Sequence, residues 1–301
     1  MAAEHYSVEH ETRYAYPAPV AQSWQLAHLT PRGLPWQRLL AHELAIEPGP
    51  SSCRSGLDSF GNVATHFSLH GAHRLLRVRM TCEVEVGLRP DARDAPGKAL
   101  GWEAVRDTVR RDPSLDDLGA ARMVEPTRLV PWSAAARDYA CESFVAGRGW
   151  LEATTELMHR IRDEFTFDPE ATTVTTQVDE VLEHRRGVCQ DFAHLMIACL
   201  RGLGLPARYV SGYLLTQPPE GRPRLLGADA THAWVAAYSP VHGWVEFDPT
   251  NDTLADQRYI TLAWGTDFED VVPLRGVIVG GRRQAMSVEV TVIPASERAG
   301  A

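Results

Sequence analysis

The run GVCQDFAHLMIACLRGLGLP at 187–206 leaves this chain the least freedom in how it folds. Phe192, Leu195, Met196, Cys199, Leu200 and Leu203 recur at helical spacing and make one apolar stripe. Gly204 and Pro206 close the helix, because glycine takes the left-handed capping conformation and proline cannot continue the hydrogen-bond ladder. Cys189 stands three residues before Phe192. It therefore heads the stripe at the helix N-terminus and faces whatever the helix packs on.

Three strand candidates follow that helix, at 207–215, 232–238 and 243–247, the last two joined in hairpin style through Pro240 and Gly243. A helical segment at 151–165 precedes it. The first ninety residues read as β structure. In LLRVRMTCEVEV at 75–86, Leu76, Val78, Met80, Cys82, Val84 and Val86 alternate with polar residues, the period of a strand with one buried face. Further strands are expected at 5–14 and 42–46, and a Pro/Gly/Ala-rich linker at 90–100. Near the C-terminus, 277–279 and 286–293 flank Gly280-Gly281 and read as a final hairpin. The expected organisation is α+β: a β-rich domain at 1–90, joined by the hairpin 277–293, and a second domain at 91–276.

The formal charge of −9, with no dense Lys/Arg run, speaks against nucleic acid and anionic lipid as partners. The charged N-terminus has no apolar leader, and no stretch is apolar enough to span a membrane. Five cysteines, an odd number with no C-x-x-C pair, fit a reduced, cytoplasmic setting, although a Cys53–Cys82 bridge stays open. Composition leaves the oligomeric state undetermined.

A thiol attacks carbonyl carbon as thiolate, and both a helix N-terminus and a neighbouring imidazolium favour that form. First-turn amides can also hold an oxyanion. The competing reading of Cys189 is a small hydrophobe at the head of a core helix, and position alone does not separate the two. His232 opens the run HAWVAAY and Asp248 closes GWVEFDPT. If these runs pair, their ends lie side by side, so the imidazole could take the thiol proton while the carboxylate fixes its tautomer. Each alone reads better as structural; the three in this order are much less expected by chance. Zinc ligation by His184, Cys189 and His194 is disfavoured, since His194 points to another helical face and no second cysteine is near. No metal or cofactor is expected.

RRGVCQDFAHLMIAC at 185–199, GLPARYVSGYL at 204–214, THAWVAAY, GWVEFDPTND and GTDFEDVVPLRGV at 265–277 resemble the core of bacterial transglutaminase-like proteins. HETRYAYPAPV, HLTPR and DSFGN resemble, more loosely, the β domain that precedes that core. The resemblance implies a papain-like core, in which the helix bearing Cys189 packs on an antiparallel sheet. It implies Cys189 as nucleophile, His232 as base and acid, and Asp248 as orienter. One departure is Thr266, in GTDF, where the family usually has an arginine.

The chemistry implied is acyl transfer on amide bonds of a protein or peptide substrate through a thioester. Peptide or isopeptide hydrolysis is the first expectation; glutamyl transfer to an amine and deamidation are the alternatives. A non-catalytic interaction module keeping the fold is the rival from another class. Around the three residues, Gln190 could lend its amide to the oxyanion site or be an exposed first-turn residue. Trp234 could roof the base, line a substrate groove or be a plain core aromatic. Tyr213 is expected to border the cleft, and Asp191 and His194 to be structural.

Overall fold

The computed structural model describes residues 3–92, 100–111, 119–216 and 231–298. The linker expected at 90–100 falls largely outside them. Two antiparallel sheets carry the molecule, with helices packed on the second.

The first sheet is built from β1 (Glu4–Ala27), β2 (Gln37–Glu47), β3 (Ser52–Leu57), β4 (Val63–Leu69) and β5 (His73–Val86), in the order β2-β5-β1-β4-β3. The alternating side chains of β5, from Leu76 to Val86, are buried. β1 pairs with β5 up to Ala15, breaks register before Val20, and pairs with β4 from Ser23. Pro17 and Pro19 sit in that break, where the missing N–H groups interrupt the ladder.

Next come α1 (Trp102–Arg111), α2 (Ala134–Cys141), α3 (Trp150–Glu164), β6 (Thr166–Phe167), α4 (Val178–His184), β7 (Arg186–Gly187) and α5 (Cys189–Gly202). The short strands β6 and β7 pair in parallel and deliver the chain into α5. Every residue of α5 from Asp191 to Arg201 is buried. The stripe read from the sequence is therefore only part of what this helix buries: α2 and α4 pack on it from one side and the second sheet from the other. Its polar members stay inside because each has partners. Arg201, for example, donates to the carbonyls of Met123, Glu125, Ala207 and Thr266.

The second sheet comprises β8 (Ala207–Leu214), β9 (Thr231–Ser239), β10 (Gly243–Asp248), β11 (Thr253–Leu254) and β12 (Tyr259–Gly265), in the order β11-β10-β9-β8-β12. Alternation along β9 turns Ala233, Val235 and Ala237 toward the main core with α5, and Trp234 and Ala236 into a second apolar cluster on the opposite face. The two sheets are tied through β12. The Gln37 amide exchanges two 2.8 Å hydrogen bonds with the Thr261 backbone, and Asn62 does the same for Trp264 at 2.8 and 2.9 Å.

The chain ends in β13 (Leu274–Gly280), β14 (Ala285–Pro294) and the single turn α6 (Ala295–Arg298). The final hairpin expected from the sequence does not form. β14 lies antiparallel to Tyr6–Ala15 and β13 to Val20–Ala27, so the two follow one another along the same edge of β1. Gly280-Gly281 marks a step between two partners of β1 rather than a reversal. The length of β1, and not local turn chemistry, decides this pairing.

Candidate active site

Cys189 is the first residue of α5 and is half-buried. The turn that presents it depends on Asp191, whose Oδ2 accepts the Val188 N–H at 2.8 Å and the Thr172 hydroxyl at 2.6 Å. This carboxylate satisfies a donor just outside the helix, which otherwise has no intrahelical partner. Burial raises the Asp191 pKa, while the Thr172 and Val188 hydrogen bonds oppose that rise. Gly187 makes the close approach possible: a Cβ there would stand 2.8 Å from Asp191 Cβ and Oδ2. The Gln190 amide donates to the Val174 carbonyl at 3.1 Å, so it braces the preceding loop instead of pointing at the thiol.

His232 begins its part of β9 opposite Gly212 of β8. Its Nε2 donates to Asp248 Oδ2 at 2.7 Å. A hydrogen bond with the Cys189 thiol also acts on the imidazole. Burial works against charge on His232, but the hydrogen bonds of Asp248 and Cys189 outweigh it and push its pKa up to about 10. Asp248 is fully buried at the end of β10. Burial favours its neutral form, yet the bond and charge of His232, with Asn251 and Tyr259, hold it below the ordinary carboxylate value.

Five donors converge on Asp248. Oδ2 receives His232 Nε2, Asn251 Nδ2 and the Tyr259 hydroxyl, each at 2.7 Å; Oδ1 receives the backbone N–H of Thr250 at 2.9 Å and of Asn251 at 3.2 Å. A carboxylate so surrounded is ionised and oriented despite burial. Three groups that hold the site, Asn251, Tyr259 and Gly212, are not among the candidate residues read from the sequence. Asn251 belongs to the polar turn directly after Asp248, a signal the sequence does carry. Tyr259 lies on the far edge strand β12, and nothing in its local sequence points to Asp248. Gly212 is required because a Cβ would fall 2.0 Å from Ile260 O and 2.5 Å from the Trp234 ring.

Trp234 is fully buried and stacks on His232, with ring centroids 6.0 Å apart and planes 25° from parallel. Its indole N–H donates to Glu246 Oε2 at 2.9 Å. Of the readings open in the sequence, it therefore supports the imidazole from within the core and does not line a groove. Tyr213 differs from expectation altogether. It is fully buried between the two sheets, its hydroxyl 2.9 Å from His10 Nδ1, and it does not border the cleft. β8 turns that side chain toward β1, which a local reading cannot foresee. His194 is buried, accepts the Phe268 N–H at 3.2 Å, and has its pKa lowered to about 3 by burial and by Arg201. Among the described residues, no group of three or more His, Cys, Asp or Glu side chains could hold a metal ion. Thr266 donates its backbone N–H to Asp270 Oδ2 at 2.8 Å. Cys53 and Cys82 are both free thiols, the first exposed and the second buried, so the bridge left open by the sequence is not formed.

The arrangement places a thiol at a helix N-terminus with an imidazole whose charged form a buried carboxylate favours. Such a set can move a proton between sulfur and a leaving group and can hold negative charge at the first-turn amides.

The profile of the bacterial transglutaminase-like N-terminal region matches residues 6–85, and that of the transglutaminase-like superfamily matches residues 140–249. An uncharacterized protein of Mycobacterium tuberculosis is 40% identical over 300 residues, covering 96% of this chain and 92% of its own length. An uncharacterized protein of Mycobacterium leprae is 32% identical over 293 residues, covering 95% and 96%. A protein-glutamine gamma-glutamyltransferase of Pseudomonas aeruginosa is 36% identical over 98 residues, 31% of this chain and 15% of its own. Among solved structures, a candidate cysteine protease from Cytophaga hutchinsonii aligns over 98% of this chain and 92% of its own, with a TM-score of 0.76 at 18% identity. That likeness is one of fold.

Proposed function

This chain belongs to the transglutaminase-like superfamily, with the bacterial N-terminal region ahead of the core, and from that premise we propose that it hydrolyses peptide or isopeptide bonds through a Cys189 thioester. Membership of this superfamily supports cysteine-based catalysis in general. The observation that carries the finer reading is the His232 imidazole, held by Asp248 at 2.7 Å and engaged also by Cys189.

In this reading the thiol proton passes to His232 and the sulfur attacks the amide carbonyl carbon. The tetrahedral oxyanion forms against the first-turn amides of α5. As the C–N bond breaks, His232 gives its proton to the leaving amine, and a thioester remains. Water then donates a proton to His232, attacks the thioester carbonyl and releases the acid, while the thiol recovers its proton. Asp248 orients the imidazole and stabilises its charged form throughout. It does not itself take the proton.

A second reading, attack by an amine in place of water, is favoured by the similarity over 98 residues to a protein-glutamine gamma-glutamyltransferase. Mass spectrometry of a peptide library incubated with and without added amine separates the outcomes. Cleaved peptides support hydrolysis, a glutamine-to-glutamate mass change supports deamidation, and amine adducts support transfer. Cys189→Ala is expected to fold and to form none of these products. Product formation by a clean Cys189→Ala preparation would remove the proposal.

A further inference from the structure

On the face of the second sheet opposite α5 lies a cleft of roughly 1900 Å³ that Cys189 does not line. Across its wall runs a ladder of alternating cations and indoles. The guanidinium carbons of Arg32 and Arg208 each stand 3.6 Å from the centre of the Trp264 ring. Two groups at that distance cannot share one face of a ring without overlapping, so they sandwich Trp264. Arg208 is sandwiched in turn, with Trp244 4.1 Å away on its other side. Such stacking holds a guanidinium plane in place and leaves its N–H edge to be satisfied from elsewhere.

Among the described residues, part of that edge has no acceptor. Arg208 is only 6% exposed, and its Nε is buried with no hydrogen-bond partner. Glu246 attracts it from across Ala236, but that carboxylate is already engaged by the Trp234 indole at 2.9 Å and by Arg89 at 3.4 Å. Asp256, also on the wall, is paired with Arg258 at 2.7 Å. The unmet groups extend beyond Arg208. Side chains of Arg32, Trp36, Arg89, Arg208 and Trp244, all lining this cleft, each contain a buried N–H without an acceptor. Arg122 adds a further cation at the rim, over Phe60. Every one of these groups is a donor, and buried donors call for acceptors. Burial also lowers the pKa of Arg208 to about 9 and of Arg32 to about 10, against the attraction of Glu246 and Asp58 respectively.

We propose that this cleft binds a small organic anion, a carboxylate or phosphate carried on a flat apolar body. The oxyanion meets the Arg208 and Arg122 guanidiniums, and the body lies along Trp36, Phe60 and Trp244. The site is separate from the thiol, with the buried Trp234 and Tyr259 side chains between the cleft and the imidazole. Its ligand is thus an additional molecule and not the amide being cleaved.

The test titrates the whole chain with naphthoate, naphthyl phosphate and the neutral naphthylmethanol, read by calorimetry and tryptophan fluorescence. Saturable binding of one anion per chain is expected, with naphthylmethanol and the Arg122→Ala variant each about tenfold weaker or worse. Arg208→Met is expected to lose binding further. Binding of naphthoate alone assigns a carboxylate ligand, and binding of both anions assigns a general oxyanion site. The proposal is overturned if neither anion binds saturably, if naphthylmethanol binds as well as they do, or if Arg122→Ala binds unchanged. Arg122 is exposed, so its replacement tests the site even if Arg208→Met fails to fold. The Cys189 alkylation rate in Arg122→Ala is expected to equal that of the unmodified chain, which keeps this outcome independent of the proposed reaction.

Discussion

The Tyr259 hydroxyl donates to Asp248 Oδ2 at 2.7 Å from the opposite edge of the five-stranded sheet. It joins His232 and Asn251 on the same oxygen, so the orientation of the carboxylate is shared between two other strands and a turn. Tyr259→Phe removes one charge-assisted bond and leaves four. We expect a stability loss of about 2 kcal/mol and a fall in kcat of about tenfold with KM little changed. Thermal melts and steady-state kinetics on a cleavable peptide check both. A change confined to KM would contradict the orienting role.

The charge state of His232 sets the pH behaviour. Its folded pKa of about 10 lies above the ordinary 6.5, so the stability its protonated form contributes is complete below about 6.5 and is lost as pH rises toward 10. Asp248 is held below its ordinary 3.8, so its contribution is complete above that value and is lost as pH falls through its folded pKa. The stability gap between the unmodified chain and Asp248→Asn should therefore be widest between about pH 4 and 6.5 and should narrow on both sides. Activity, limited on the alkaline side by loss of the imidazolium, should decline near pH 10. In Asp248→Asn that limb should move down toward neutrality and the rate should fall about 10⁴-fold. Unchanged limbs in a pH–rate profile would contradict the pairing.

Gly212→Ala is expected to be severe for its size. The new methyl would meet Ile260 O at 2.0 Å and the Trp234 ring at 2.5 Å, and neither the strand backbone nor a buried indole can yield freely. A loss of about 3 kcal/mol or more is expected. The near-ultraviolet circular dichroism of Trp234 should change with it. Chemical denaturation gives the magnitude, and a loss within the scatter of surface substitutions would show that the strands can part there.

Tyr213→Phe tests the reassignment of this residue from cleft to inter-sheet core. The change removes the Tyr213 partner of His10 Nδ1, while the ring keeps the Thr12 hydroxyl at 3.0 Å. Stability should fall by about 1–3 kcal/mol. Activity per folded molecule should stay within about twofold, since the Tyr213 hydroxyl reaches His10 in the main core and, among the described residues, makes no bond to His232 or Asp248. A large rate effect in fully folded protein would return Tyr213 to the site.

What local pattern could determine here, it determined. The period of β5, the stripe and stop of α5 and the hairpin of β9 and β10 are properties of short segments, and burial of one face dictates them. The positions of Cys189, His232 and Asp248 at the ends of those segments are equally local, because capping and strand register fix where an element's terminal residue lies. Tertiary structure alone decided the rest. Tyr259 reaches Asp248, and Tyr213 turns to His10, only because β8 and β12 are packed where they are. The two final strands lie end to end along β1 because a 24-residue strand offers an edge long enough for both. Arg208 sits between two indoles because residues from separate strands meet on one face. Contacts between segments distant in sequence depend on how whole elements are stacked, and no periodicity within a segment encodes its partner.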